Sequence, residues 1–132
     1  MKKTTYYILS KLIVKLQGKK FRWEVGYQFS SNWNDVVLWR SHKIPNPKNH
    51  FLADPFVIKK DNTHFCFVEN YNFKTRKGNI SAYEISRSGN KNLGVVLDEE
   101  FHLSYPFLFE YDNNLFINRK MHYFYYVHSR FI

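Results

Sequence analysis

Two stretches of the chain, residues 51–66 and 102–117, share one pattern of apolar and polar positions. Each holds a Leu, then a Pro-Phe pair that opens an apolar run, an Asp-Asn pair and a second apolar run. They align without a gap, with six of sixteen positions identical and a constant offset of 51 residues. Proline suits the start of a strand, and Asp-Asn suits a turn. A period near 50 residues is typical of β-propeller blades, so the repeat predicts an all-β fold of antiparallel meanders.

The segments around and between the two copies carry further strand patterns. Apolar residues at 21, 23, 25 and 27 alternate with Arg22, Glu24 and Gln28, which predicts a half-buried strand, and residues 36–40 are a second strand candidate. Residues 30–35 have turn composition, and 42–50, with two prolines, read as a loop. Between the copies we predict strands at 63–69, 78–85 and 94–97, a loop at 70–77 and a turn at 86–92. This meander fits the four strands of a blade.

The N-terminal segment has a helical pattern instead. Leu9, Leu12, Ile13 and Leu16 share one face, and Gly18 can end the helix. We predict an amphipathic helix over residues 5–17 that packs on its own domain or joins a preceding one; the alternative is a helix resting on an anionic membrane. The apolar run is too short for a secretory signal or a membrane span. The sequence therefore predicts a cytoplasmic protein with three parts, a helix or linker at 1–20, a β domain at 21–117 and a divergent tail at 118–132.

The two copies differ at the residue before their Pro-Phe pair, which is Asp54 in the first and Tyr105 in the second. A residue before proline favours the extended region, so both side chains are expected at a strand entrance. An isolated carboxylate there suggests a functional site. The alternative is that Asp54 only caps a turn through its own backbone.

Length and charge limit what the chain does. A five-bladed propeller at ~50 residues per blade needs ~250, and the chain has 132, room for about two blades. Its 20 Lys and Arg outnumber 11 Asp and Glu, giving a net charge of +9, which favours acidic partners. The basic residues form no long run, which argues against a nucleic-acid-binding arm. Aromatic residues make up 20% of the chain and favour strands.

An ordered series of motifs links the chain to a known family. The motifs are Phe51-Leu-Ala-Asp-Pro-Phe-Val, Phe65-Cys-Phe-Val-Glu, Lys77-Gly-Asn-Ile-Ser, Val95-Val-Leu-Asp and Phe101-His-Leu-Ser-Tyr-Pro-Phe. Over residues 23–117 the chain resembles the N-terminal domain of glucosamine inositolphosphorylceramide transferases. A similar domain occurs in bacterial proteins, often beside a formyltransferase-like domain. The domain is in turn similar to the five-bladed propellers of glycoside hydrolase family 43, in which an Asp-Pro opening an inner strand supplies a catalytic carboxylate.

The resemblance implies a truncated five-bladed propeller that acts on or binds a glycan or glycoconjugate, with an upstream formyltransferase-like or other domain as partner. It implies a catalytic role for Asp54. Past Ile117 the family pattern continues into a Pro-Glu pair, whereas this chain reads Asn118-Arg-Lys-Met. We therefore expect a truncated or frameshifted copy.

The candidate chemistry rests on carboxylates, because glycosidic bonds are usually cleaved by two of them. The candidates are Asp54, Glu69 and Glu110; the last two are equally well explained as solvated strand ends. Candidate substrate-binding residues are His102, Ser104 and Tyr105, at the place equivalent to Asp54, and Trp33 and Trp39 as stacking platforms. Core packing is the alternative for the tryptophans, and a hydrogen-bonded structural role is the alternative for His102.

No cofactor is expected. The six histidines lack ligand spacing and there is no cysteine pair, so no metal site is predicted. Cys66, between two phenylalanines, is predicted to be a buried, inert thiol. Three functions stay open: a carbohydrate-active domain of the glycosidase or glycosyltransferase-associated kind, a non-catalytic sugar-binding or accessory module, and an inactive fragment.

Overall fold

A computed structural model describes residues 22–112, 114–120 and 125–131. Most of this chain is antiparallel strand, which confirms the predicted all-β class. The strands are β1 (Val25–Tyr27), β2 (His42–Ile44), β3 (His50–Lys60), β4 (Thr63–Asn72), β5 (Lys77–Ser86), β6 (Gly89–Leu97), β7 (Phe107–Tyr111), β8 (Asn114–Lys120) and β9 (Tyr125–Phe131). Two single 3-10 turns, Trp33–Asp35 and Leu38–Arg40, lie between β1 and β2. The predicted N-terminal helix over 5–17 lies outside the described residues.

The strands form three sheets in which each strand pairs with the next along the chain. The first sheet is β1-β2, the central sheet is β3-β4-β5-β6, and the third is β7-β8-β9. Within the central sheet, links of two to four residues explain this order, since antiparallel neighbours need only a few linking residues. The 118–132 tail contributes β9 to the third sheet, so part of it continues the meander.

The 51-residue repeat extends to the pairing register of the strands. Phe56 faces Phe67 across the β3–β4 hairpin, and Phe107 faces Asn118 across β7–β8, each 51 positions later. The same offset relates the other four pairs of the second hairpin to the first. The backbone repeats as well, because four equivalent residues take a positive φ: Asp54 (47°) and Tyr105 (51°), Asp61 (53°) and Asp112 (48°).

The central sheet is covered on both faces. One face packs against the first sheet, around Val25, Ile44, Leu52 and Val68. The other packs against the third sheet and the segment before it, through Phe67, Ile80, Leu103, Leu108 and Ile117. A strand buried on both sides needs no apolar-polar alternation, which explains the unbroken burial of residues 66–70 in β4.

The region between β1 and β3 differs from the sequence-based prediction. Residues 36–40, predicted as a strand, contain the 3-10 turn Leu38–Arg40 and bury no side chain. The strand is instead β2, inside the segment predicted as a loop. Ile44 faces Val25 in the ladder and is 1% exposed. Because Ile44 reaches the core, the strand forms around it and not at residues 36–40.

Candidate functional site

A β-bulge at Asp54 and Pro55 shapes the candidate site. Ala53 pairs with Glu69 and Phe56 with Phe67, so the two residues between them on β3 face only one residue on β4. Proline is tolerated at a bulge because it has no N–H to lose from the ladder. Asp54 takes φ 47° there instead of the predicted extended conformation. The bulge imposes this conformation despite the preference of a residue before proline for the extended region. It also changes the direction of the Asp54 side chain.

The re-aimed carboxyl of Asp54 meets the carboxyl of Glu69. In a regular ladder, neighbouring positions point to opposite faces, so Asp54 would turn away from Glu69, whose direct partner is Ala53. The bulge brings the two side chains into a hydrogen bond. Two carboxyl groups are hydrogen-bonded to each other only when they hold a proton between them.

Glu69 is the buried member of this pair, with 6% of the residue exposed. Burial first, and then the hydrogen bond and negative charge of Asp54, together raise its pKa to about 8. The carboxyl of Glu69 is therefore protonated at neutral pH. The negative charge of Asp54 lies beside this protonated carboxyl.

His102 adjoins Glu69 from the segment that links β6 to β7. Its Nδ1 accepts a hydrogen bond from the backbone N–H of Gly78 at 2.9 Å. An acceptor nitrogen carries no proton, so in neutral imidazole the proton sits on Nε2. This Nε2 lies 3.5 Å from Oε1 of Glu69.

Gly78 holds the linking segment against β5 by further contacts. Its carbonyl accepts the N–H of Leu103 at 2.9 Å, and the preceding Lys77 pairs with Asp98 at 3.0 Å. A Cβ at position 78 would lie 2.6 Å from the carbonyl oxygen of Leu103 and 2.9 Å from Cε1 of His102. Only glycine permits this close approach.

These groups line an open pocket of about 630 Å³. Asp54, Glu69, His102, Ser104 and Tyr105 all border it, so the structure brings together five of the eight residues singled out in the sequence. Trp23, which is 62% exposed, and Phe51 complete its aromatic wall.

Trp23, Phe51 and Gly78 were not among the predicted site residues. Phe51 stands two positions before Ala53 on β3, and alternation places it on the face that Glu69 occupies. That signal was present in the sequence. The role of Gly78 depends on a segment 24 residues away, and no local pattern marks it.

The other three predicted residues lie elsewhere. Glu110 is exposed on β7 opposite Leu115. Trp33 and Trp39 are each 83% exposed on the 3-10 turns and do not line the pocket. Their exposure also excludes the core-packing alternative. Cys66 is 1% exposed, and burial raises its pKa to about 12, which confirms the predicted buried thiol.

Two further features were sought within the residues that the structure describes. No group of three or more His, Cys, Asp and Glu side chains is arranged to hold a metal ion. None of the helical segments in this part of the chain has the length and apolarity that a membrane span requires.

Comparison with known proteins identifies a family that the chain matches. Residues 22–122 match the family described as glucosamine inositolphosphorylceramide transferase 1, N-terminal. The chain is 35% identical over 96 residues to glucosamine inositolphosphorylceramide transferase 1 of Oryza sativa, in both subspecies indica and japonica, covering 67% of this chain and 12% of the rice proteins. It is 34% identical over 86 residues to the Arabidopsis thaliana protein of the same name, covering 64% of this chain and 11% of that protein. The chain thus spans about an eighth of the length of these relatives, and no solved structure matches it.

Proposed function

The chain belongs to the family of the N-terminal domain of glucosamine inositolphosphorylceramide transferase 1, and we propose that it binds the sugar of a glycan or glycoconjugate in the pocket at Asp54 and Glu69. The observation that carries this proposal is the proton-sharing carboxyl pair at the base of an aromatic-walled pocket. The names of the relatives support a role connected with glycoconjugates.

The pocket has the chemistry that sugar recognition requires. A carboxyl pair that holds its one proton internally still offers several acceptor positions to ring hydroxyls. Trp23, Phe51 and Tyr105 border the same pocket, and aromatic faces suit the apolar faces of pyranose rings. Ligand sites commonly combine apolar walls with a few convergent polar groups.

The remaining negative charge of the pair bears on which sugar fits. A sugar with an ammonium group gains a charge-assisted hydrogen bond from this pair, whereas a neutral sugar does not. The relatives' name contains glucosamine. We therefore propose an amino sugar, or a glycoconjugate that carries one, as the preferred ligand.

The separation of the carboxyls favours binding over hydrolysis. In glycosidases the two carboxyls stand ~5 Å apart or more, on either side of the scissile bond. Here Asp54 and Glu69 hydrogen-bond each other, so they lie on one side of any ligand.

One observation favours a catalytic role as the second candidate function. Glu69, protonated at neutral pH through its raised pKa of about 8, meets the requirement for a general acid.

The propeller form of the fold is part of the same proposal. Three successive antiparallel sheets stack face to face through two apolar clusters. Their first strands are neighbours, with β1 beside β3 and β3 beside β7. These features support successive blades around a common axis. An upstream formyltransferase-like partner domain and a cytoplasmic location remain predictions from the sequence.

The proposed function is tested by calorimetric titration of the full chain with glucosamine, N-acetylglucosamine and glucose. We expect saturable binding of glucosamine, weaker binding of the neutral sugars, and a loss of about tenfold or more in Asp54→Asn, since a charged hydrogen bond contributes about 1.5–3 kcal/mol. Glu110→Gln removes an equal charge outside the pocket and is the matched control. An equal loss in both variants, or no binding by the parent chain, contradicts the proposal.

A separate assay addresses the catalytic candidate. Release of nitrophenol from aryl glycosides by the parent chain, abolished in Glu69→Gln, would support a general acid. Binding without any release favours the non-catalytic module.

A further inference from the structure

We propose that His102 is a positioning residue, held by Gly78 so that its Nε2–H faces Glu69 and orients that carboxyl toward Asp54. The sequence predicted that His102 binds the substrate, with a hydrogen-bonded structural role as the alternative. The proposed role develops that alternative, because His102 acts on the ligand only through the carboxyl pair. This inference rests on the proposed function for its relevance to binding, although its geometry stands apart from any ligand.

Both ring nitrogens of His102 are directed at groups of the protein. Nδ1 accepts the Gly78 N–H at 2.9 Å, and Nε2 lies 3.5 Å from Glu69. The backbone N–H is a donor only, so it fixes the neutral tautomer with its proton on Nε2. A ring held in this way has no nitrogen to offer a sugar hydroxyl without losing one of these contacts.

The anchoring of the ring is independent of core packing. The side chain of His102 is 44% exposed, so its position depends on directed contacts more than on burial. The Leu103 N–H bond to the Gly78 carbonyl fixes the backbone beside it. The Tyr71 ring meets the imidazole edge-on at 5.7 Å between centroids.

Glu69 therefore has neighbours on two elements. Asp54 approaches it from β3 by a hydrogen bond, and His102 approaches from the linking segment. Glu24, on the segment before β1, borders the same pocket and forms an ion pair with Lys43. Because Glu69 sits between Asp54 and His102, a donor fixed at Nε2 restricts the rotation of its carboxyl and favours its charged form.

Two substitutions test the contacts of the two ring nitrogens of His102 one at a time. In His102→Asn, the amide oxygen replaces Nδ1, two bonds from Cβ, so the Gly78 contact is kept and the Glu69 contact is lost. In His102→Gln, the amide nitrogen replaces Nε2, so the Glu69 contact is kept and the Gly78 contact is lost. The partly exposed position tolerates both changes.

The test uses the full chain without ligand, with hydrogen exchange of the Gly78 amide and a carbon-13 NMR titration of the Glu69 carboxyl as readouts. We expect His102→Asn to keep the Gly78 amide protected and to move the Glu69 titration midpoint upward by about half a pH unit or more. We expect His102→Gln to accelerate exchange at Gly78 about tenfold or more and to leave the Glu69 midpoint nearer that of the parent.

Several outcomes overturn the inference. An unchanged Glu69 midpoint in His102→Asn shows that Nε2 does not act on the carboxyl. Unfolding of both variants shows that the ring serves packing alone. Because both readouts are made without ligand, they can succeed while glucosamine binding fails, which would overturn the proposed function and leave the positioning role intact.

Discussion

A single buried proton dominates the pocket at the scale of residues. Glu69 is 6% exposed and shares a hydrogen bond with Asp54. Burying an ionised carboxylate costs several kcal/mol, and a group in that position usually neutralises instead. The proton on Glu69 is thus a consequence of its burial and of the neighbouring Asp54.

This proton makes stability depend on pH. The pKa of Glu69 rises from 4.5 to about 8 on folding, so between these values the folded chain holds a proton that the unfolded chain releases. The contribution of Glu69 to the free energy of unfolding is fully present below pH ~4.5 and is lost as pH rises toward 8, by about 1.4 kcal/mol per pH unit at most. Glu69→Gln cannot titrate and should lack this fall. Urea unfolding of both proteins from pH 5 to 9 measures the difference, and parallel curves would refute it.

Gly78 is the second residue on which the site depends. Gly78→Ala places a methyl group 2.6 Å from a backbone oxygen, which must move, at a cost of about 1–3 kcal/mol. Gly26→Ala is the control, because its nearest contact is 3.3 Å, to the side chain of Ser41. Thermal unfolding should show a clearly larger loss at position 78. Equal losses would mean that the linking segment is not held as closely as described.

The sequence identifies several residues of the site but not the contacts between them. Asp54 stood out because its repeat partner is Tyr105. The contact between Asp54 and Glu69 requires a bulge, and a bulge depends on how two strands pair rather than on either strand alone. The preference before proline pointed to the extended region, while the paired strands impose φ 47° on Asp54 and φ 51° on Tyr105.

At the scale of elements, the hairpin is the unit that repeats. The first and second hairpins share their register and the positive φ of their Asp turn residues, all offset by 51 positions. This much follows from sequence, because register is set by turn length and apolar pattern. The position of β2 did not follow. Ile44 is a single aliphatic residue between Lys43 and Pro45, and only the partner strand shows that it reaches the core.

Equivalent hairpins also touch each other between sheets. The rings of Phe56 and Phe107, one from each repeat, meet edge-on at 5.5 Å between centroids. A double-mutant cycle with Phe56→Leu and Phe107→Leu should give a coupling of about 0.5–1.5 kcal/mol. Pairing Phe56→Leu with Tyr111→Leu, at the other end of β7, should give additive effects. Additivity in the Phe56 and Phe107 cycle would contradict the stacking of the two sheets.

At the scale of the whole molecule, the excess positive charge and the residues of the pocket lie in different parts of the sequence. All 11 acidic residues lie within residues 22–112, where 11 Lys and Arg balance them. The net charge of +9 comes from six lysines in residues 1–21 and three basic residues after 118. The basic composition therefore says little about what the pocket binds, since the β-sheets that build it come mainly from the neutral part. Attraction to acidic partners is expected of the two terminal segments.

Sugar binding by the pocket, at the meeting of the central sheet and the linking segment, can be located by a nitrogen-15 NMR titration. The full chain is titrated with glucosamine, and with glucose at the same concentrations as the control. We expect saturable amide shifts that cluster at residues 53, 54, 69 and 102–105 and are stronger for glucosamine. Shifts that cluster around Trp33 and Trp39, or none that saturate, would contradict it.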